Sequence, residues 1–571
     1  MNALILYIFF LWHSFAKVEP EPVSYPQNYF ASPTDLPLSL SGNFGEPRRL
    51  HFHTGMDIRT NGEEGHKVLA AAGGYVSRIN VSGSGYGNAL YITHPNGFNT
   101  VYGHLQRFSP IIMDRLRKEQ YKKESFSVDI NLSPKDITVK QGDLIAWSGN
   151  TGGSGGPHLH FEIRDSLEQI INPALFGYHL KDEMKPVVQY LKFYPLGDLK
   201  YKSDGYRSKV FSSEGVYRIT GDVISLNSAE VGISVNTYDR MNNTENHVGI
   251  YSMKLYDGKS LLYEFRMDKF SFDEKRYVLS HTDYPIFMNE GRKTFHKCFV
   301  EPGNQCKIYS SLVKGGVLNL SDKKVHPIKI EVSDVAGNIS IIEMNVKYDE
   351  SSTLFKEKNF SYTTRFDYDH ENEFSNQDIQ LKIPAHCLFD QVYFNYTVST
   401  STDTNIFSKI HQVDKSTTQV FNWFNISIKT ENLNPALADK ALIVYKDGAN
   451  PVAPRGGKYA NGYISSKSRE FGTYFIRIDN TPPRITPLNV STGKNMRVYK
   501  KLLFRLTDNL SGVEDFDTYL DEKWTLTEYD AKSSTLTHTL NQNLSVGNHT
   551  FKVVATDERK NKTEFSIKFK M

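Results

Sequence analysis

Two short stretches carry residues suited to chemistry. "RRLHFHTGMDIRTNGEEG", from Arg48, sets His53 four residues before Asp57, and "SGNTGGSGGPHLHFEIRD" sets His158 two residues before His160. In a strand, the period of two puts His158 and His160 on one face and turns Leu159 and Phe161 toward a core. Two imidazoles on one open face suit a metal or a reacting bond better than packing. The glycines ahead of them add no side chains and let backbone approach closely. His53 and Asp57 have the i, i+4 spacing of a helix face, but Gly55 argues for a strand entering a tight turn. His53, Asp57 and one of the later histidines make three nitrogen and oxygen ligands. A catalytic zinc uses that number and keeps a fourth position open for water. His104, in "TVYGHLQRF", ends another β-like run. Beside His158 it can flank a metal without binding it, accepting a proton from water and stabilising a tetrahedral oxyanion. His51 alternates with His53 as a competing ligand. His66 and His94 stand alone and read as supporting or surface histidines, and Asp143 as a turn former.

These residues need a sheet to gather them. Residues 38–178 are Gly-rich with β-like runs ("GGYVSRINV", "NALYITH", "FNTVYGHL") broken by the turn signals "GSGYGN" and "HPNG". "PIIMDRLRKEQYKKESF" reads as one amphipathic helix, either a solvated surface element or a wall of a substrate groove. After "NPALFGY" the chain becomes a series of β-runs. In "YFIRID", Tyr474, Ile476 and Ile478 share a face, and Pro482–Pro483 marks a boundary. "HPIKIEVSDVAGN" from His326 echoes "HTFKVVATDERKN" from His549. Asp334 and Asp557 cap the turn in each, and "ISVNTYDRMNN" around Asp239 is a weaker third copy. Such modules suggest stacked immunoglobulin-like β-sandwiches. Their aspartates offer sparse, irregularly spaced ligands for calcium.

Length and composition agree. At roughly 100–200 residues per domain, 571 residues imply several domains, and a net charge of +3 gives no field that calls for nucleic acid. The apolar run Ala3–Trp12 is too short for a bilayer and fits a secretory signal peptide cut after Ala16. No later run is long enough for a transmembrane helix. Of the three cysteines, Cys298 and Cys306 flank a turn and either pair in an oxidising compartment or stay as buried thiols. The expected division is a signal peptide at 1–16, a catalytic domain at 17–185 with its core at 40–178, and β modules at 186–348, 349–480 and 481–571.

"HTGMD", "VYGHL" and "GPHLHFEIRD", in that order, with "VLAAAGGYVSRI", "GYGNALYITHPNG" and "KQGDLIAWSGNTG" around them, resemble the lysostaphin-type (LytM-type) zinc metallopeptidases over about residues 40–178. The resemblance implies a mainly β fold: an antiparallel β-sheet groove, duplicated hybrid motif-like, with the metal at its floor. It implies that His53, Asp57 and His160 bind Zn2+ and that His104 and His158 are the catalytic pair. It further implies a secreted or periplasmic endopeptidase that cleaves the peptide stems or cross-bridges of peptidoglycan with a zinc-activated water. Arg48 resembles a family arginine that polarises a substrate carbonyl, or it caps a loop. The link between His104 and "VKQGD" is longer than the family's. The C-terminal modules are expected to space the enzyme, bind the wall or hold envelope protein partners. Two other readings use the same residues: a non-catalytic wall-binding or amidase-activating scaffold, and a secreted protease acting on proteins.

Overall fold

The computed structural model describes residues 24–571 apart from 179, 198, 214, 243 and 542; the expected signal peptide lies outside the described residues. The fold is mainly β, with antiparallel sheets throughout and two short parallel pairings onto strand Ile339–Tyr348. The first sheet runs, in spatial order, through strands Leu40–Gly42, Met56–Arg59, His158–Arg164, Asn99–Gly103, Asn88–Thr93, Gly74–Val81 and Val128–Asn131. A smaller sheet of Lys67–Leu69, Leu144–Trp147 and Arg107–Phe108 accompanies it. Val76, Ile79, Leu90, Ile92, Leu159, Phe161 and Ile163 are buried in one cluster with Ala146 of the smaller sheet. The alternation of His158–Arg164 thus works as expected, with Leu159 and Phe161 turned inward.

The helix is Pro110–Lys123, and it follows Ser109 with Pro at its first position, where a missing N–H costs nothing. It buries Ile112, Leu116 and Gln120. Its exposed Tyr121 meets Trp524 of the last sheet edge-on, with ring centroids 5.3 Å apart.

Beyond residue 186 the chain forms three further β bodies. Sheets built on Val187–Pro195 with Glu230–Tyr238, and on His326–Ser333 with Ile339–Tyr348, enclose Leu191, Ile233, Val235, Leu255, Ile330 and Ile342. A second pair of sheets encloses Leu381, Ile426, Ile443, Ile464, Tyr474 and Ile476. A third encloses Leu502, Phe504, Leu536, Phe551 and Val553. Cys298 and Cys306 are buried and unpaired; Cys298 Sγ rests 3.2 Å from Met253 Sδ. The echo at Asp239 is not a third copy of the Asp334 turn. Asp239 ends strand Glu230–Tyr238 in the same module as Asp334 and clusters with it. The short motif misled because any strand closing on an Asx turn carries the same letters.

The first two bodies are joined by more than a linker. Ile170–Ile171 pairs with Lys269–Phe270, and Phe44 and Phe52 are buried in the core of the second body. Phe52 packs on Phe270 and His281, at 5.7 and 5.4 Å between ring centroids. His281 Nε2 lies 3.0 Å from Nδ1 of His296, and both rings are buried. Burial holds His296 down to about 3 and, with His296 and Lys297 beside it, keeps His281 well below the usual range.

Both imidazoles are therefore neutral in the folded protein, whereas in the unfolded chain they take up a proton near pH ~6.5. Their contribution to stability is whole above that pH and is lost as the pH falls toward about 3 for His296. His296→Gln is expected to flatten the decline in urea-unfolding free energy between pH ~6.5 and ~4, by about 1.4 kcal/mol per pH unit. An unchanged slope counts against this account.

Candidate active site

Asp57 and His160 sit opposite each other on neighbouring antiparallel strands, Met56–Arg59 and His158–Arg164. Directly opposed residues share a face, so register alone brings the carboxylate to the imidazole. His160 Nδ1 lies 2.9 Å from Asp57 Oδ1. His53 comes from the loop ahead of strand Met56–Arg59, and its Nε2 lies 2.9 Å from the same oxygen and 3.2 Å from His160 Nδ1. Gly55 is required in this loop: a Cβ there would stand 2.4 Å from the carbonyl oxygen of Phe161.

The other ring atoms fix the tautomers. His53 Nδ1 donates to the carbonyl of Asn43 at 2.7 Å, leaving a lone pair on Nε2. His160 Nε2 donates to Glu162 Oε1 at 2.9 Å, leaving a lone pair on Nδ1. Two lone pairs and a carboxylate oxygen thus converge in a triangle of 2.9, 2.9 and 3.2 Å. Only positive charge stabilises that arrangement. With a proton as the sole candidate, burial works against His160, but Asp57 and Glu162 outweigh it and push the imidazole up to about 9. Asp57 is itself held well below the carboxylate range, burial being outweighed by His53, His158 and His160. Two imidazole nitrogens and one carboxylate oxygen also match the three-ligand set of a zinc site.

His104 and His158 stand beside the triangle, with ring centroids 4.8 Å apart. His104 follows strand Asn99–Gly103 at φ 58, a left-handed conformation that a non-glycine residue adopts only under constraint. Its Nδ1 donates to Thr151 O at 2.8 Å, so Nε2 carries the lone pair. Burial, then His160 and His158, hold it down to about 3. His158 Nδ1 is 2.8 Å from Gly156 O, and its Nε2 is 3.3 Å from Asp57 Oδ1. All five residues named from the sequence gather at one place.

Glu162 was missed, although the signal was present: it continues the His158, His160 alternation by one more step. It is fully buried, accepts hydrogen bonds from His160 Nε2 at 2.9 Å and Tyr86 Oη at 2.6 Å, and pairs with Arg164 at 2.6 Å. Arg48 is 3.2 Å from Asp57 Oδ2, the carboxylate oxygen outside the triangle. His51 is exposed and lies outside the triangle. His94 is a core residue bonded to Gly73 O and Thr100 Oγ1, both at 2.9 Å. Asp143 closes a turn through Lys140 N at 2.7 Å.

A cleft of about 830 Å³ opens over these groups. One wall is the first sheet, with Tyr86, Gly85 and the Gly153–Gly155 loop. The other comes from the second body: Gln189, Tyr238, His247, Phe272, Lys275, Gly291–Thr294 and His296. No residue of helix Pro110–Lys123 lines it, so the helix is not a groove wall.

Residues 51–121 and 125–173 match the profile of peptidase family M23. This part of the chain is an M23 peptidase domain. Residues 363–479 match the profile of the Zu5-like domain. The M23 domain is 35% identical over 123 residues, 22% of this chain and 22% of the relative, to "DD-carboxypeptidase/endopeptidase Mpg" of Neisseria meningitidis serogroup B. It is 34% identical over 140 residues, 24% of this chain and 26% of the relative, to "Peptidoglycan DD-endopeptidase ShyC" of Vibrio cholerae serotype O1. The match thus spans about a quarter of the length of these curated relatives. Among solved structures, the catalytic domain of the prophage-encoded M23 protein EnpA from Enterococcus faecalis is 24% identical, covering 27% of this chain and 98% of its own, with a TM-score of 0.20.

Since Glu162 sets the tautomer of His160, Glu162→Gln is expected to weaken zinc binding by the M23 domain about 10–100-fold. His104→Ala is expected to leave it intact. Competition against a chromophoric chelator measures both, and equal affinities for Glu162→Gln and the parent would remove Glu162 from this role.

Proposed function

We propose that the M23 domain is a zinc-dependent endopeptidase that hydrolyses the peptide stems or cross-bridges of peptidoglycan outside the cytoplasm, in the periplasm or beyond. The observation that carries this is the triangle of electron-rich atoms on His53, Asp57 and His160, open to the cleft and flanked by the imidazoles of His104 and His158. The peptidoglycan substrate is supported by the relatives named for that activity.

Bound by these three residues, zinc would supply Lewis-acid polarisation of a carbonyl and acidification of a water. The chain's own groups do the rest. His104 and His158 each have Nδ1 hydrogen-bonded to a backbone carbonyl, which leaves Nε2 for the reaction. One accepts the proton of the attacking water at Nε2, and the imidazolium so formed donates to the developing oxyanion before it passes that proton to the leaving amine; the other orients the water as an acceptor. Arg48 and Glu162 keep Asp57 and His160 in place while charge shifts. The two-walled cleft gives an extended peptide room to lie across these groups.

His104→Ala and His158→Ala are each expected to lower kcat/KM on purified sacculi by about 10²–10⁴-fold with full zinc content. Asp57→Ala and chelation are expected to abolish turnover, and added zinc to restore only the chelated parent. Turbidity loss gives the rate, and mass spectrometry of released muropeptides gives the bond. Binding of sacculi without cleavage by the zinc-loaded parent would instead make the protein a scaffold, and cleavage of proteins but not sacculi would make it a protease of another substrate.

A further inference from the structure

Two clusters of aspartates outside the cleft repeat one another. In the first, Asp182, Asp239 and Asp334 each place a carboxylate oxygen within 4.8 Å of the others; in the second, Asp479, Asp508 and Asp557 do the same. Each lies where the chain enters a β-sandwich. Asp182 precedes strand Val187–Pro195, and Asp479 precedes strand Arg484–Pro487. Each cluster then takes one aspartate directly after an early strand, Asp239 or Asp508, and one from where a late strand meets its turn, Asp334 or Asp557.

The supports match atom for atom. Asn338 Nδ2 donates to Asp334 Oδ2 at 2.7 Å and to Asp182 O at 3.2 Å. Asn561 Nδ2 donates to Asp557 Oδ2 at 2.7 Å and to Asp479 O at 2.9 Å. Ser340 and Thr563 hydroxyls each donate at 2.6 Å to the carbonyl of the proline that opens the module, Pro186 or Pro483. These bonds hold the carboxylates together; none neutralises them.

One oxygen in each cluster lacks any partner: Oδ1 of Asp239 and Oδ1 of Asp508. Asp239 is 2% exposed, so its oxygen is orphaned away from solvent. With Asp182 it borders a cavity of about 80 Å³, closed by Val335 and Ala336 of the Asp334 turn and by Tyr251. Burial, then the charges of Asp334 and Asp182, push the Asp239 carboxyl up to about 8. Crowded carboxylates of this kind call for a cation or a proton between them, and hard oxygen donors, with room beside the first cluster for further oxygens, suit calcium rather than a metal that favours nitrogen or sulfur.

We propose that each aspartate cluster binds a calcium ion, which locks the joint through which the chain enters that module. The inference is independent of the peptidase reading, because it is read on binding and not on hydrolysis. The experiment is equilibrium dialysis of the zinc-loaded full chain against calcium near pH 7.5, after removal of calcium with a selective chelator. Two calcium ions per chain are expected, Asp239→Asn retaining only the second site and Asp508→Asn only the first. Thermal unfolding provides a second readout: calcium should raise the unfolding midpoint of the parent by several degrees and leave that of the double variant unmoved. No calcium uptake by the parent at millimolar calcium, the weakest range of extracellular sites at about 10⁻³ M, overturns the proposal. So does uptake unaffected by both substitutions, or retention of magnesium with exclusion of calcium.

Discussion

The structure depends on one electrostatic constraint: two imidazole lone pairs and a carboxylate oxygen held about 3 Å apart on largely buried side chains that border the cleft. Such a cluster repels itself unless a cation or a proton sits within it. The surrounding residues maintain that tension rather than relieve it. Asn43 and Glu162 each take a ring N–H, which forces the opposite nitrogen to face inward as an acceptor. Arg48 occupies the outer oxygen of Asp57 and leaves the inner one for the cluster. Arg164 in turn balances the charge of the fully buried Glu162.

The first sheet does not build this centre alone. Asn43, whose carbonyl fixes His53, is clasped to Gly249 of the second body by two bonds, at 2.6 and 2.8 Å. Phe52, next to His53, is buried in that body's core, and its N–H bonds Lys275 O at 2.8 Å. The adjacent β-sandwich therefore positions one corner of the triangle and supplies a wall of the cleft. A module that looks like a spacer in sequence is, in three dimensions, half of the site.

This explains what the sequence could and could not disclose. His158, His160 and Glu162 follow from strand alternation, which is local and has a period of two. The convergence of Asp57 with His160 depends on a strand register set 103 residues apart, which the motif resemblance supplied and periodicity did not. The second wall was invisible because its residues, from Gln189 to His296, come from several strands and loops with no shared pattern. A groove wall was one of two readings of the helix, which falls between His104 and the glycine loop in sequence; the helix instead buries Ile112 and Leu116 in the core of the first body and lines no part of the cleft. The unpaired cysteines follow the same logic: each side chain is absorbed separately into the core, so nearness in sequence brought no bond.

The chain also returns on itself. Lys532 of the last module reaches the loop before His158, where Nζ bonds Asn150 O and lies 3.2 Å from Ser154 O. Ser154 Oγ is itself 3.2 Å from His158 Nδ1, so the last module touches the support of a site imidazole. A contact closed across 378 residues survives only if every intervening joint keeps its angle, because angular errors at successive joints add at the far end. Two of those joints are the places where buried aspartates cluster with an orphaned oxygen. Rigid joints and a closed chain are then parts of one requirement, the placement of a glycine-rich loop against the cleft, and the β modules meet it through their junctions rather than through their surfaces.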